Sequence, residues 1–207
     1  MQSIPTLFMR GGKEDGYRVK PILNPECEWV LHRPKLGNVI LTIKVDGLNC
    51  KVERGQLFKR IRSKNTAETS YVPADTQDSN DKLLYEAAAN VTNARWNSMP
   101  DGVYEVFGPG IQGNPQHAEG LWMVRIMPID GPLMVDSRVQ LPVAPSTAQD
   151  LYDMLKQELE ESDVEGFVFH YEHPTMVPVK FAKIKRRDFG FKWPLEKAEL
   201  VPELVGA

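Results

Sequence analysis

The sequence predicts an α+β fold. Two observations carry that reading. Most periodic segments are short β-branched or aromatic runs of strand length, and only two carry an apolar stripe at helical spacing. With 207 residues, 42% hydrophobic and 26% charged, the composition fits a soluble globular protein of one large domain or two small ones.

The elements follow in order. Residues 1–35 carry Pro5, Gly11, Gly12, Gly16, Pro21, Pro25 and Pro34, and read as loops around short extended pieces. Val39 to Ile43 is a β-branched run suited to a buried strand, with Asp46-Gly47 as the turn after it. Residues 49–54 and 56–61 read as a hairpin around Arg54-Gly55. Residues 64–80 are polar, contain Pro73, and read as a loop. Residues 81–95 predict a helix with Leu84, Ala87, Ala88 and Val91 on one face. Val103 to Phe107 and Leu121 to Met127 are strands. Ser146 opens a second helix, in a capping box with Gln149, and Leu151, Leu155 and Leu159 form its stripe. Phe167 to His170 and Val177 to Ile184 are late strands.

The net charge of −3 gives no whole-chain argument for nucleic acid. Its distribution says more. Lys180, Lys183, Lys185, Arg186, Arg187 and Lys192 face Asp188 alone, and Lys59, Arg60, Arg62 and Lys64 form a second cluster. Glu158, Glu160, Glu161 and Asp163 offset them. Such clusters are compatible with a phosphate site but, taken alone, are more often ordinary solvated charge. Cys27 and Cys50 suggest neither a disulfide framework nor a zinc site. No apolar run reaches spanning length and no signal-peptide pattern is present, so the expectation is an intracellular, cytoplasmic protein with no membrane partner.

Lys-x-Asp-Gly occurs twice, at Lys13 to Gly16 and at Lys44 to Gly47. Lys13 follows Arg10-Gly11-Gly12 in a loop-like stretch, whereas Lys44 ends an apolar strand before a tight turn. A nucleophilic lysine needs a rigid mount and must lose the proton it ordinarily holds up to a pKa near ~10.4, through burial and nearby cations. Context therefore favours Lys44. Glu105 ends a strand before the glycine-rich Gly108 to Gly113. That stretch fits Gly-x-Gly-x-x-Gly, but Asn114-Pro115 follows where a dinucleotide fingerprint needs a helix. Glu165-Gly166 precedes Phe167-Val168-Phe169. Lys183 and Lys185 alternate on a strand, so both ammonium groups share one face, as binding phosphates requires. His170 and His173 form His-x-x-His, but on a strand they face opposite sides, which argues against a metal pair.

The run Ile40-Leu-Thr-Ile-Lys-Val-Asp-Gly-Leu-Asn-Cys50 resembles the covalent nucleotidyltransferases, which are DNA ligases, RNA ligases and mRNA capping enzymes. Asn49, two residues after the glycine, is closest to the RNA ligases. Tyr104 to Pro115, Glu165 to Phe169 and Val179 to Lys185 follow in the family's order, with Lys44, Glu105, Glu165 and Lys183 separated by 61, 60 and 18 residues. Ile4 to Arg10, Asn24 to Val30, Gly113-Asn-Pro and Asp188 to Pro194 extend the resemblance to a less-studied RNA ligase group. The match is patchy over residues 64–98 and 128–160.

The resemblance implies a single nucleotidyltransferase (ATP-grasp-like) domain over residues 1–207, of antiparallel sheets flanked by helices, with residues 1–35 packed on it as an extension. The 22 residues after Lys185 are too few for an OB-fold, which favours an RNA ligase. It implies catalysis by Lys44, Glu165, Lys183 and Lys185. Ile43, Asp46, Gly47, Asn49, Glu105, Trp122 and either Arg60 or Arg62 are then expected at the nucleotide. Glu105 would hold the ribose, and Trp122 either stacks on adenine or belongs to the core. Glu165 and Asp46 are the expected metal contacts, Asp46 either orienting Lys44 or holding metal-bound water. The cofactors implied are ATP and Mg²⁺, with Mn²⁺ as a substitute. The partner implied is RNA with 5′-phosphate and 3′-hydroxyl ends. A minimal DNA ligase, a non-catalytic RNA- or nucleotide-binding module and a dinucleotide oxidoreductase are the competing readings.

Overall fold

The computed structural model describes residues 4–31, 38–62, 69–94, 99–128, 138–139, 145–172 and 180–196. Pro34, residues 64–68 and 177–179, His173 and the side chain of Arg62 lie outside them. The protein is a mixed α/β structure of antiparallel sheets with few helices. Within what the sequence reads as one domain, the chain forms two compact units. One comprises Met1–Ser3 and Val45–Asp136, the other Ile4–Lys44 and Ser137–Ala207.

The unit beginning at Val45 holds a five-stranded sheet. Its strands are β4 (Leu48–Glu53), β5 (Gln56–Arg62), β6 (Thr69–Pro73), β7 (Gly102–Phe107) and β8 (Trp122–Pro128), in the order β6-β5-β4-β7-β8. Arg54 and Gly55 join β4 to β5 with φ of 50° and 73°, the doubly left-handed turn whose twist matches a hairpin. Helix α1 (Ser79–Ala94) lays Leu84, Ala87 and Val91 against Cys50, Val52, Tyr104, Val106 and Met123. β6 corrects the loop expected over 64–80. Its Ser-Tyr-Val core has strand character, and Pro73 is tolerated because it ends an edge strand. Residues Gly108–Gly120 form successive turns with no helix, so a dinucleotide fingerprint is not built there.

The other unit holds β1 (Phe8–Arg10) paired with β2 (Val19–Leu23), and a sheet ordered β11-β10-β3-β9. Its strands are β3 (Asn38–Lys44), β9 (Arg138–Val139), β10 (Gly166–Glu172) and β11 (Lys180–Lys185). Helix α2 (Ala148–Glu161) supplies Leu151, Leu155 and Leu159 to a core with Leu41, Phe167, Phe169, Ala182 and Ile184. The N-terminal residues contribute Leu7, Phe8, Val19, Cys27 and Val30 to that same core. The capping box of α2 is shifted by one residue from the expectation. Thr147 is the cap and Asp150 its partner, because the Asp150 carboxylate accepts both the Thr147 N–H at 3.0 Å and the Ser146 hydroxyl at 2.7 Å. A short helix, α3 (Arg186–Phe189), follows β11.

Candidate nucleotidyl-transfer residues

Alternation along β3 sends Leu41 to the core and Lys44 with Thr42 to the opposite face. Register extends that face across three strands. Lys44 and Lys185 both pair with Gly166, while Thr42 and Lys183 both pair with Val168. Lys44, Lys183 and Lys185, drawn from separate stretches of sequence, thus stand on one side of one sheet. Glu165 lies at the start of β10 and is 4% exposed. Its Oε2 accepts from Lys44 Nζ at 2.5 Å and its Oε1 from Lys185 Nζ at 2.5 Å.

Gly166 makes this crossing possible. A Cβ there would stand 2.1 Å from the Ile184 carbonyl oxygen, so only glycine lets β10 approach β11 this closely. Lys183 is half-buried. Burial first, then the charges of Lys185 and Lys44, hold its pKa below the ordinary lysine value, with Asp188 and Glu165 opposing. The cluster of three lysines and one glutamate therefore keeps a positive excess, suited to an oligophosphate. Lys13, by contrast, opens an exposed 3₁₀ turn.

In the five-stranded sheet, Cys50, Val52 and Tyr104 face α1, so Asn49 and Glu105 take the other face. Asn49 Nδ2 donates to Glu105 Oε2 at 3.1 Å, and the Tyr71 hydroxyl donates to Asn49 Oδ1 at 2.7 Å. Lys59 pairs with Cys50 and Arg60 with Tyr71, which puts Arg60 on the Asn49 face. Trp122 pairs with Phe107, two residues beyond Glu105, and shares that face. It is 45% exposed, which sets aside the core alternative. Ile43 lies on the side of β3 opposite Lys44, leaving only its backbone for a ligand on the lysine side.

The turn after Lys44 is fastened by residues the sequence did not single out. Gln116 Nε2 donates to the Asp46 carbonyl at 2.9 Å, and Gln112 donates to the Gly47 carbonyl. Gly47 is required by close approach, since a Cβ would stand 2.3 Å from the Val106 carbonyl oxygen. Tyr71 was also missed. Its signal, a strand placing it opposite Arg60, was hidden when β6 was read as loop.

The remaining histidine and cysteine candidates among the described residues are buried. His170 is buried and shares a hydrogen bond with Thr42 Oγ1 at 2.8 Å. Cys27 and Cys50 are buried, and burial pushes both thiols up, Cys27 to about 11. Among the described residues no three His, Cys, Asp or Glu side chains gather to hold a metal, and both Glu165 oxygens already serve ammonium groups. Among the described residues no helix is long and apolar enough to cross a membrane. No protein-family model and no curated protein matches the chain.

Proposed function

We propose that the chain is an ATP-dependent RNA ligase with a nucleotidyltransferase fold, working through a lysyl-AMP intermediate. The observation that carries this reading is Glu165 shared between Lys44 and Lys185 at 2.5 Å each, with Lys183 on the same face. Lysines from two separate motifs converge on the carboxylate of a third, in an arrangement fitted to attack at phosphorus.

The chemistry has three steps. Lys44 Nζ bonds to the α-phosphorus of ATP while the bond to pyrophosphate breaks. The amine must shed a proton first, and Glu165 Oε2 is the acceptor in place. AMP then passes to the 5′-phosphate of RNA, freeing Lys44. Finally a 3′-hydroxyl attacks the activated 5′-phosphate, the strand is sealed, and AMP leaves. Lys183 and Lys185 offset the charge on the phosphates, which is most of what phosphoryl transfer asks of a protein. Mg²⁺ bound to the ATP phosphates would offset part of their charge. Within the unit that begins at Val45, Glu105 is a fixed acceptor suited to a ribose, held by Asn49 and Tyr71 on the face that Arg60 and Trp122 share.

The test is covalent labelling. Pure protein, freed of nucleotide, is incubated with Mg²⁺ and ATP labelled at the α-phosphate, then denatured. One acid-labile AMP per chain is expected, undetectable in Lys44→Ala and unchanged in Lys13→Ala. Binding without an adduct would instead favour a non-catalytic module, and label from GTP alone would point to capping chemistry. Sealing of nicked DNA in preference to 5′-phosphorylated RNA would make the protein a minimal DNA ligase.

A further inference from the structure

We propose that Arg10 is a phosphate contact for the RNA strand, held ready at the edge of the lysine cluster; this extends the ligase reading and rests on it for the identity of the strand. The chain's own pairing puts the arginine there. Thr6 bridges Lys183 in parallel, with the Leu7 N–H donating to the Lys183 carbonyl at 2.7 Å and the Lys183 N–H to the Pro5 carbonyl at 3.0 Å. The N-terminal segment therefore advances in the same direction as β11 and carries Arg10 past the point where that strand ends. There it meets Asp188. The buried Asp188 carboxylate accepts the Lys185 N–H through Oδ2 at 2.9 Å and the Arg10 guanidinium through Oδ1.

An unbroken sequence of cation and anion results. Lys44 joins Glu165, Glu165 joins Lys185, the Lys185 main chain joins Asp188, and Asp188 joins Arg10. Four cations, Lys183 included, stand against two carboxylates, so the series offers its excess charge to a polyanion.

Arg10 is built differently from an arginine that serves the fold. Arg186, in the same unit, is buried and gives its N–H groups to the carbonyls of Leu159, Ser162 and Lys192. Arg10 is 47% exposed although its anchor, Asp188, is 3% exposed. Among the described residues, its one further hydrogen-bond partner beyond Asp188 is the Tyr17 carbonyl, at 3.4 Å. A guanidinium has five donors, so most of the fork stays available. A guanidinium aimed by a buried carboxylate, with its remaining donors toward solvent, is preorganised for a phosphate oxygen pair.

The experiment compares wild type, Arg10→Gln, Arg10→Lys, Arg10→Gln/Asp188→Asn and the surface control Lys13→Gln. Three readouts are taken: melting temperature, lysyl-AMP formation from ATP without RNA, and anisotropy of a 3′-labelled, 5′-phosphorylated single-stranded RNA across a salt series. Arg10→Gln keeps a neutral donor for Asp188, so it is expected to melt only slightly lower and to lose RNA affinity about tenfold, well beyond any change in its lysyl-AMP yield. Its slope of log affinity on log salt falls by about 0.7, the value of one single-strand phosphate contact. Arg10→Lys keeps the slope and recovers part of the affinity, and Lys13→Gln matches wild type. RNA affinity and slope unchanged in Arg10→Gln would overturn the proposal. So would a parallel fall in melting temperature, adduct and RNA binding that is reversed in Arg10→Gln/Asp188→Asn, since that outcome makes Arg10 only the counter-ion of Asp188. Absence of an adduct in wild type would sink the ligase reading instead, while the anisotropy arm still decides the RNA contact.

Discussion

Glu165 and His170 lie on one strand system and illustrate two fates of a buried polar group. Each Glu165 carboxylate oxygen has a lysine Nζ at 2.5 Å, so its burial is offset twice over. His170 has Thr42 on one nitrogen, and burial pushes its pKa from 6.5 down to about 4. The sign of the consequence follows. On acidification the unfolded chain takes up a proton near pH 6.5 that the folded chain refuses until about pH 4, so stability is full above that window and falls within it. The loss approaches about 3 kcal/mol. Urea unfolding at neutral pH and at about pH 4.5 should show it in wild type, and His170→Gln should flatten the acid limb. An equal acid limb in both proteins would assign the effect to carboxylates. At this scale the sequence singled out Lys44, Glu165, Lys183 and Lys185 by motif and resemblance, and the structure brings these four residues together. The sequence was silent on Tyr71, Gln112 and Gln116, whose roles depend on strand register and on contacts across 22, 65 and 70 residues.

Elements were legible where packing enforces a period. The Leu151, Leu155 and Leu159 stripe and the strand before Lys44 both sit where their patterns place them. β6 was not, because an edge strand satisfies only one neighbour and needs no apolar alternation. The crossing of β10 and β11 gives an element-scale prediction. A Cβ at Gly166 would also come within 2.8 Å of Lys185 Cα, and both obstacles are backbone. Gly166→Ala should therefore cost about 1–3 kcal/mol by overpacking. It should also move Glu165 relative to Lys44 and Lys185 and slow self-adenylylation by about a hundredfold. Thermal melting and the labelling rate read the two effects separately. A variant that melts early but labels at the wild-type rate would mean that the carboxylate is positioned by something other than this strand crossing.

Among the described residues of the whole molecule, two core clusters have no member in common. One centres on Leu84, Tyr104 and Val106, the other on Leu155, Phe169 and Ile184. Leu84→Ala and Leu155→Ala should each cost about 2–5 kcal/mol in urea unfolding, and with no shared partner the double variant should lose the sum. A double variant no worse than either single one would mean that only one unit limits the measured transition. The division was not legible beforehand, because a contact between Leu7 and β11 and one between Leu48 and β7 look alike in a string of letters. One feature of the first unit reaches further than its size suggests. The amides of Gln112 and Gln116 grip the two carbonyls behind Lys44, so the Gly108–Gly120 segment acts as a latch on that turn. Hydrolysis of either amide to a glutamate would put an oxygen against an oxygen and spring the latch. Slow ageing of a purified sample could then weaken this turn while leaving the lysines and carboxylates of the cluster chemically intact.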